Sequence, residues 1–173
     1  MRSFGWVGCV ALCVFLVLGC GKSSKLAPLL PDAPDGWSTD GSAANHDVSG
    51  VGHSSTRSYV PTGATAGLGV QKVTVQVLLA EKGADQKKLQ EMSIETSAQF
   101  KEKKQIGGFP AYESVPLPSN TIHSLDILPK AGTYVQIVAY KGGPSWDNGQ
   151  NRQAIVSAFA GKIDLRKIAA TEP

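Results

Sequence analysis

The clearest pattern of apolar and polar positions lies in residues 70–80, VQKVTVQVLLA. Val73, Val75, Val77 and Leu79 occupy every second position and are separated mainly by polar residues. A period of two residues is typical of a strand that buries one of its faces. This pattern therefore predicts a strand over 70–80, and a weaker alternation predicts another around 54–60, joined to it by a glycine- and proline-rich loop over 61–69.

From Asp85 to about Lys104 the spacing of apolar residues becomes helical. One stripe is formed by Leu89, Met92, Thr96 and Phe100, with charged residues on the remaining positions. Such a stripe is the mark of an amphipathic helix whose polar face meets solvent. Asp85 is suited to the N-cap, where its carboxylate accepts from backbone N–H groups. We therefore predict a helix over 85–104.

Three further extended segments follow this helix. The first begins at Tyr112 in IGGFPAYE (106–113), and the others are TIHSLDIL (121–128) and TYVQIVAY (133–140). In 121–128 the pattern leaves open which face is buried. The short links between these segments predict hairpins, and therefore an antiparallel sheet.

The C-terminal region predicts a second amphipathic helix, which follows a polar turn over 140–151 and contains Ile155, Val156 and Phe159. Gly161 is placed to end this helix. Asp164 is placed to cap a final helical turn, with Ile163 and Ile168 forming a hydrophobic staple. Residues 51–173 are thus predicted to form an α+β domain, a small antiparallel sheet with two amphipathic helices packed on it.

The N-terminus has the layout of an export signal. Arg2 precedes an uncharged run over 4–18, and small residues and Cys20 follow it. The run is shorter than the roughly 20 apolar residues that a membrane span needs. Gly21-Lys22-Ser23 is not a phosphate-binding loop, because such a loop needs glycine where Leu16 stands. An ordinary signal peptide cut nearby, or a tail packed as a helix, remains an alternative.

Val17-Leu18-Gly19-Cys20 resembles the lipobox of bacterial lipoproteins. The resemblance implies that residues 1–19 are a signal peptide and that Cys20 carries a diacylglyceryl group, with a fatty acid such as palmitate on its new amine. Two or three acyl chains hold a protein on a membrane essentially permanently. The resemblance also implies a lipid-anchored protein of the bacterial cell envelope. Gly21 in place of aspartate favours the outer membrane in a Gram-negative source.

Residues 20–50 are rich in small and polar residues and are predicted to form a flexible tether with a reach of roughly 30 Å. Trp37 is the large apolar exception within this segment. We expect Trp37 to dock on the folded domain, with stacking on a ligand as the alternative.

Composition excludes several classes of function. The net charge is +3 for the whole chain, and removing Arg2 with the signal leaves +2, so the basic surface of a nucleic-acid binder is not expected. Cys9 and Cys13 would leave with the signal, which makes Cys20 the sole mature cysteine and excludes an internal disulfide or a thiolate zinc site. The histidines, expected on the surface, show no ligand spacing, so we predict no metal and no cofactor; they are His46, His53 and His123.

Several short motifs also resemble a group of small bacterial envelope lipoproteins and, more distantly, the PsbP-like fold. They are PDAPDGW (31–37), IGGFPAYE (106–113) and IDLRKIAA (163–170), together with the strands over 70–80 and 133–140. The similarity spans about residues 31–170. It implies an assembly or binding module that has no shared catalytic residues.

Three hypotheses for function follow. The first is a non-enzymatic binding or accessory domain of the cell envelope, with a protein or glycan partner. The second is a hydrolase, for which Glu113, His123 and Asp126 could converge from neighbouring strands, although we expect them to be ordinary surface residues. The third is a carrier of lipid or another hydrophobic ligand, whose pocket would be lined by Phe109, Tyr112, Tyr134, Tyr140 and Trp146.

Overall fold

The computed structural model describes residues 25–84, 101–115, 117 and 120–172. Seven strands and two α-helices lie within these residues. The strands are β1 (Trp37–Val48), β2 (Gly52–Pro61), β3 (Val70–Ala80), β4 (Lys101–Ile106), β5 (Phe109–Ser114), β6 (Ile122–Lys130) and β7 (Thr133–Lys141). The helices are α1 (Gly149–Ala160) and α2 (Leu165–Ala170), and short 3-10 helices cover Ala27–Leu29, Gly63–Leu68 and Pro144–Asp147.

The strands form one sheet in the order β1-β2-β3-β7-β6-β5-β4. Every neighbouring pair is antiparallel. The predicted class, an antiparallel sheet with helices, is therefore confirmed. With seven strands, however, the sheet is larger than the small one that the sequence predicted.

One face of the sheet forms the hydrophobic core with the helices. Its central part comes from alternate positions of β3 and β7, including Val75 and Ile137, which lie opposite each other. Phe159 of α1 and Ile168 of α2 are buried in the same core. We call this the helix face of the sheet. The period-two pattern over 70–80 therefore identified the face that carries the core.

Local sequence signals predicted several elements correctly. The strand expected over 70–80 is β3, with the same bounds. The helix containing Ile155 is α1, and its C-cap is Gly161, as predicted. Asp164 caps α2, because its Oδ1 accepts from the backbone N–H of Lys167 at 2.9 Å.

The predicted helix over 85–104 is wrong in its last part. Residues 101–104 belong to β4, which pairs with β5 across a turn at Gly107 and Gly108. Lysine and glutamate suit an exposed helical face, so local preference favoured a helix. The ladder to β5, which forms only in the folded sheet, decided otherwise. The rest of that predicted helix, with its proposed cap at Asp85, lies outside the described residues.

The predicted tether over 20–50 is also corrected where the structure describes it. Leu26, Leu29 and Leu30 are buried in the core, and residues 37–48 form β1. The prediction failed because β1 is an edge strand that is mostly exposed and polar. Backbone pairing with β2 holds it in place, and this pairing requires no apolar pattern. Residues 20–24 lie outside the described part of the chain, as does the predicted signal peptide over 1–19.

The segment before β1 is fixed to the domain by side chains of β2. The Tyr59 hydroxyl donates to the carbonyl oxygen of Pro31 at 2.6 Å, and Arg57 donates to the same oxygen at 3.1 Å. Trp37 packs edge-on against Phe159 of α1, with 5.1 Å between ring centroids. The N-terminal part of the described chain is thus integral to the fold.

Candidate functional site

Two of the polar residues singled out from the sequence meet inside the protein. Nε2 of His123 lies 2.7 Å from Oε1 of Glu113, and the two side chains are 0% and 2% exposed. The sheet register explains the contact. Glu113 of β5 lies opposite Leu125 of β6, and His123 is two residues before Leu125, on the same face of β6.

Two neighbours extend this pair into a polar cluster of Lys104, Glu113, Ser114 and His123. The Lys104 ammonium donates to Oε2 of Glu113. Oγ of Ser114 lies 3.1 Å from Nδ1 of His123 and accepts from the backbone N–H of Ser124 at 2.8 Å. Both carboxylate oxygens of Glu113 and both ring nitrogens of His123 therefore have hydrogen-bonding partners.

The cluster keeps Glu113 ionised despite its burial. Burial by itself raises the pKa of the Glu113 carboxyl, but hydrogen bonds from His123 and Lys104, and the charge of Lys104, lower that pKa below its ordinary value. A buried carboxylate is tolerable only when it is paired in this way.

Ser114, His123 and Glu113 are connected by hydrogen bonds in this order. Serine, histidine and glutamate are residue types that can serve as a nucleophile, a base and an orienting acid. A base must also reach the reacting proton in a site that substrate can enter. His123 is fully buried and already contacts groups of the protein through both nitrogens. The cluster as it stands is therefore suited to holding β4, β5 and β6 together.

Asp126 does not join the cluster. It lies three positions after His123 on β6 and so points to the opposite face of the sheet. Its Oδ1 accepts from Nε2 of Gln136 at 2.9 Å, and the residue is fully buried. The expectation that Glu113, His123 and Asp126 are surface residues is wrong for all three, because strand pairing and the covered faces of the sheet enclose them.

The other two histidines lie near the β1–β2 turn. His46 is exposed on β1. His53, also exposed, lies between two carboxylates, with Nδ1 2.6 Å from Asp47 and Nε2 2.8 Å from Glu81. Across the described ranges, no group of three histidine, cysteine or acidic side chains is placed to hold a metal ion.

The aromatic residues proposed to line a carrier pocket are divided between different surroundings. Trp146 is fully buried and Phe109 packs against the core of the helix face. Tyr112, Tyr134 and Tyr140 take the positions of β5 and β7 that alternate with core residues, and so lie on the opposite face. Burial there raises the pKa of the Tyr134 hydroxyl, and the charge of Asp126 adds to the effect.

Two open grooves flank the β4–β5 hairpin. One of about 440 Å³ is lined by Lys103, Lys104, Gln105, Pro110, Tyr112 and Leu128. The other, of about 350 Å³, lies between the β4–β5 turn and the link from α1 to α2, with Phe109 and Leu165 among its lining residues. Among the described residues, each groove is lined by one of the aromatic residues proposed for the carrier pocket. Tyr112 lines the first groove and Phe109 lines the second.

Sequence reasoning missed Lys104 and Ser114 as members of the cluster. The sequence predicts a helix at Lys104. It therefore did not indicate that Lys104 lies on a strand, two residues before Ile106 and on the same face. Had β4 been recognised, its pairing with β5 would have placed Lys104 opposite Ala111, beside Glu113 on one face. Pairing register was thus the missing signal.

No known protein family, curated protein or solved structure matches the chain significantly. The resemblance to lipobox proteins and to PsbP-like lipoproteins therefore remains a prediction from the residues that carry it. Cys20, the predicted lipidation site, lies outside the described residues. Within them, no helix is both long and apolar enough to cross a membrane.

Proposed function

We propose that this protein is a lipid-anchored, non-enzymatic binding domain of the bacterial cell envelope. One observation carries the non-enzymatic part. The polar residues best suited to chemistry, Glu113 and His123, are 2% and 0% exposed and are hydrogen-bonded to each other. A binding domain needs no open catalytic site, so the burial of these two residues is compatible with a binding function.

The anchor in this proposal is Cys20, acylated after removal of residues 1–19. Leu26 is already part of the buried core. Residues 21–25 alone would then link the lipid to the folded domain, and five extended residues span at most about 18 Å. The domain would sit directly at the membrane surface, much closer than the long tether predicted from the sequence would allow.

Two alternatives keep specific support. A hydrolase is favoured by the serine, histidine, glutamate order of the polar cluster. A carrier of hydrophobic ligands is favoured by the groove of about 440 Å³ beside Tyr112, a volume within the usual range for small-molecule sites. Among the described lining residues, however, Lys103, Lys104 and Gln105 make this groove polar along one side.

The anchor is tested by substituting Cys20→Ser in the full chain expressed in a bacterial host. We expect the wild-type chain in the membrane fraction after a carbonate wash, with an acylated N-terminus at Cys20 by mass spectrometry. The variant should lose the acyl mass. Cys13→Ser, within the predicted signal, is the matched control and should change neither result. An N-terminus at another residue, or an unmodified Cys20, would overturn the lipid anchor.

The non-enzymatic part is tested with a fluorophosphonate, which labels activated serine hydroxyls. We expect no label on the purified full chain, and the same result for Ser114→Ala. Labelling that disappears in Ser114→Ala and persists in Ser124→Ala would establish the hydrolase instead. A fluorescent fatty acid titrated into the same sample tests the carrier, because saturable binding that is weakened by Tyr112→Ala would support it.

A further inference from the structure

The two edges of the sheet differ sharply. A free edge presents unpaired backbone N–H and C=O groups, and proteins usually protect such edges with short strands, lysines or irregularities. At one end of the sheet, β4 has 6 residues, KEKKQI, of which three are lysines. At the other end, β1 has 12 residues, WSTDGSAANHDV, without lysine, arginine or proline. β4 therefore has the short length and the lysines that protect sheet edges, whereas β1 has neither.

Strand β1 is also open to solvent. Eight of its 12 residues are exposed and the others are partly exposed. Its one irregularity is a shift in register between Asp40 and Ala44, at Gly41, which adopts a φ of 81°. This bulge divides the edge into two regular runs. The longer one, residues 44–48, pairs without interruption with residues 52–56 of β2.

The charged residues of β1 are all acidic. Asp40 and Asp47 lie on β1, and Asp32 and Asp35 precede it. Lys25 is the only lysine or arginine between residues 25 and 48. Added strands gain affinity from main-chain hydrogen bonds and specificity from their side chains, so complementary charge on the incoming strand would favour binding.

We propose that residues 44–48 of β1 bind an extended, basic segment of another envelope protein by strand addition. The proposal rests on the binding function given above and names its partner class. Residues 44–48 would supply the backbone pairing, and the carboxylates around β1 would select lysine and arginine in the partner.

The test uses the purified full chain in detergent and a labelled ten-residue peptide that alternates lysine with valine. We expect saturable binding by fluorescence anisotropy. A peptide that alternates glutamate with valine should bind at least about tenfold more weakly. The lysine peptide carrying N-methyl groups on alternate residues should also bind at least about tenfold more weakly, because it keeps the charge but loses backbone donors.

Two variants of the protein separate the edge from general charge. Asp40→Lys should weaken binding of the lysine peptide about fivefold, as expected for reversing one exposed charge near the ligand. Glu172→Lys makes the same charge change at an exposed position near the C-terminus and should leave binding unchanged. Equal effects of these two variants would overturn the placement on β1.

Other outcomes contradict the proposal in distinct ways. Undiminished binding of the N-methylated peptide would rule out strand addition, and equal binding of the glutamate peptide would rule out selection for basic partners. Dimerisation of the chain in sedimentation experiments, abolished by Asn45→Pro, would assign the edge to a second copy. None of these results depends on acylation of Cys20, so they are independent of the anchor.

Discussion

Glu113 and His123 share a hydrogen bond of 2.7 Å in the interior of the sheet, joining β5 to β6. Lys104 of β4 donates to the same carboxylate. One side chain thus connects three consecutive strands at the end of the sheet where the backbone ladder between β5 and β6 is short, covering residues 111–113. The stability of this end should depend on Glu113.

We expect Glu113→Ala to lower the free energy of unfolding by about 3 kcal/mol, because it leaves Nε2 of His123 buried without a partner. Urea denaturation followed by circular dichroism measures this. Glu102→Ala is the control, since Glu102 lies directly opposite Glu113 on β4 but is exposed. It should change stability by no more than about 0.5 kcal/mol. Equal losses in the two variants would contradict a special role for the buried carboxylate.

The lowered pKa of Glu113 predicts a pH dependence. A carboxyl whose pKa is lower in the folded state than in the unfolded state stabilises the fold fully above the unfolded value, near 4.5. That stabilisation disappears as the pH falls through the lowered value. We expect the wild type to lose stability below about pH 4.5 more steeply than Glu113→Gln. If the stability of the two proteins falls in parallel below about pH 5, this linkage is excluded.

Burial raises the pKa of the Tyr59 hydroxyl to about 12, which predicts alkaline destabilisation. Between the ordinary value of 10 and the raised value, the folded state keeps a proton that the unfolded state releases, so stability falls as the pH rises. In Tyr59→Phe, stability should fall less steeply over this pH range. Tyrosinate absorbance should show one fewer tyrosine that titrates above its ordinary pKa. At neutral pH, Tyr59→Phe should cost about 1 kcal/mol through the lost bond to Pro31.

Trp37 and Trp146 offer a graded test of packing. Trp37 is partly buried against Phe159, and we expect Trp37→Ala to cost about 2–3 kcal/mol. Trp146 is fully buried and its Nε1 donates to the carbonyl of Asn120 at 2.6 Å, so Trp146→Ala should cost about 4 kcal/mol or more. An unchanged melting temperature for Trp37→Ala would show that the packing of Trp37 against Phe159 does not stabilise the fold.

Gly69 lies where two loops meet at close range. Its carbonyl accepts from the N–H groups of Gly142 and Gly143, and a Cβ at this position would approach the backbone nitrogen of Trp146 to 2.3 Å. Gly69→Ala should therefore cost at least about 3 kcal/mol. Gly41→Ala is the control, because Gly41 also has a positive φ, 81°, but open space around it. It should cost about 1 kcal/mol. Equal costs would mean that φ alone matters.

Much of the centre of the fold could be predicted from local patterns. Alternation over 70–80 gave β3 and its buried face, and the spacing of Ile155 and Phe159 gave α1. The Asp164 cap was found because an N-cap depends only on residues within one turn. In each case the decisive interactions lie within a few residues of one another or concern a face that is strongly apolar.

The edges of the sheet and the polar cluster were decided by tertiary structure. β1 is polar and β4 is charged, so neither carries a period that marks a strand, and only pairing with β2 and β5 makes them strands. The sequence placed Glu113 and His123 on extended segments, whereas their contact and burial depend on the register between β5 and β6. Register joins residues that are distant in the chain, and local preferences do not encode it.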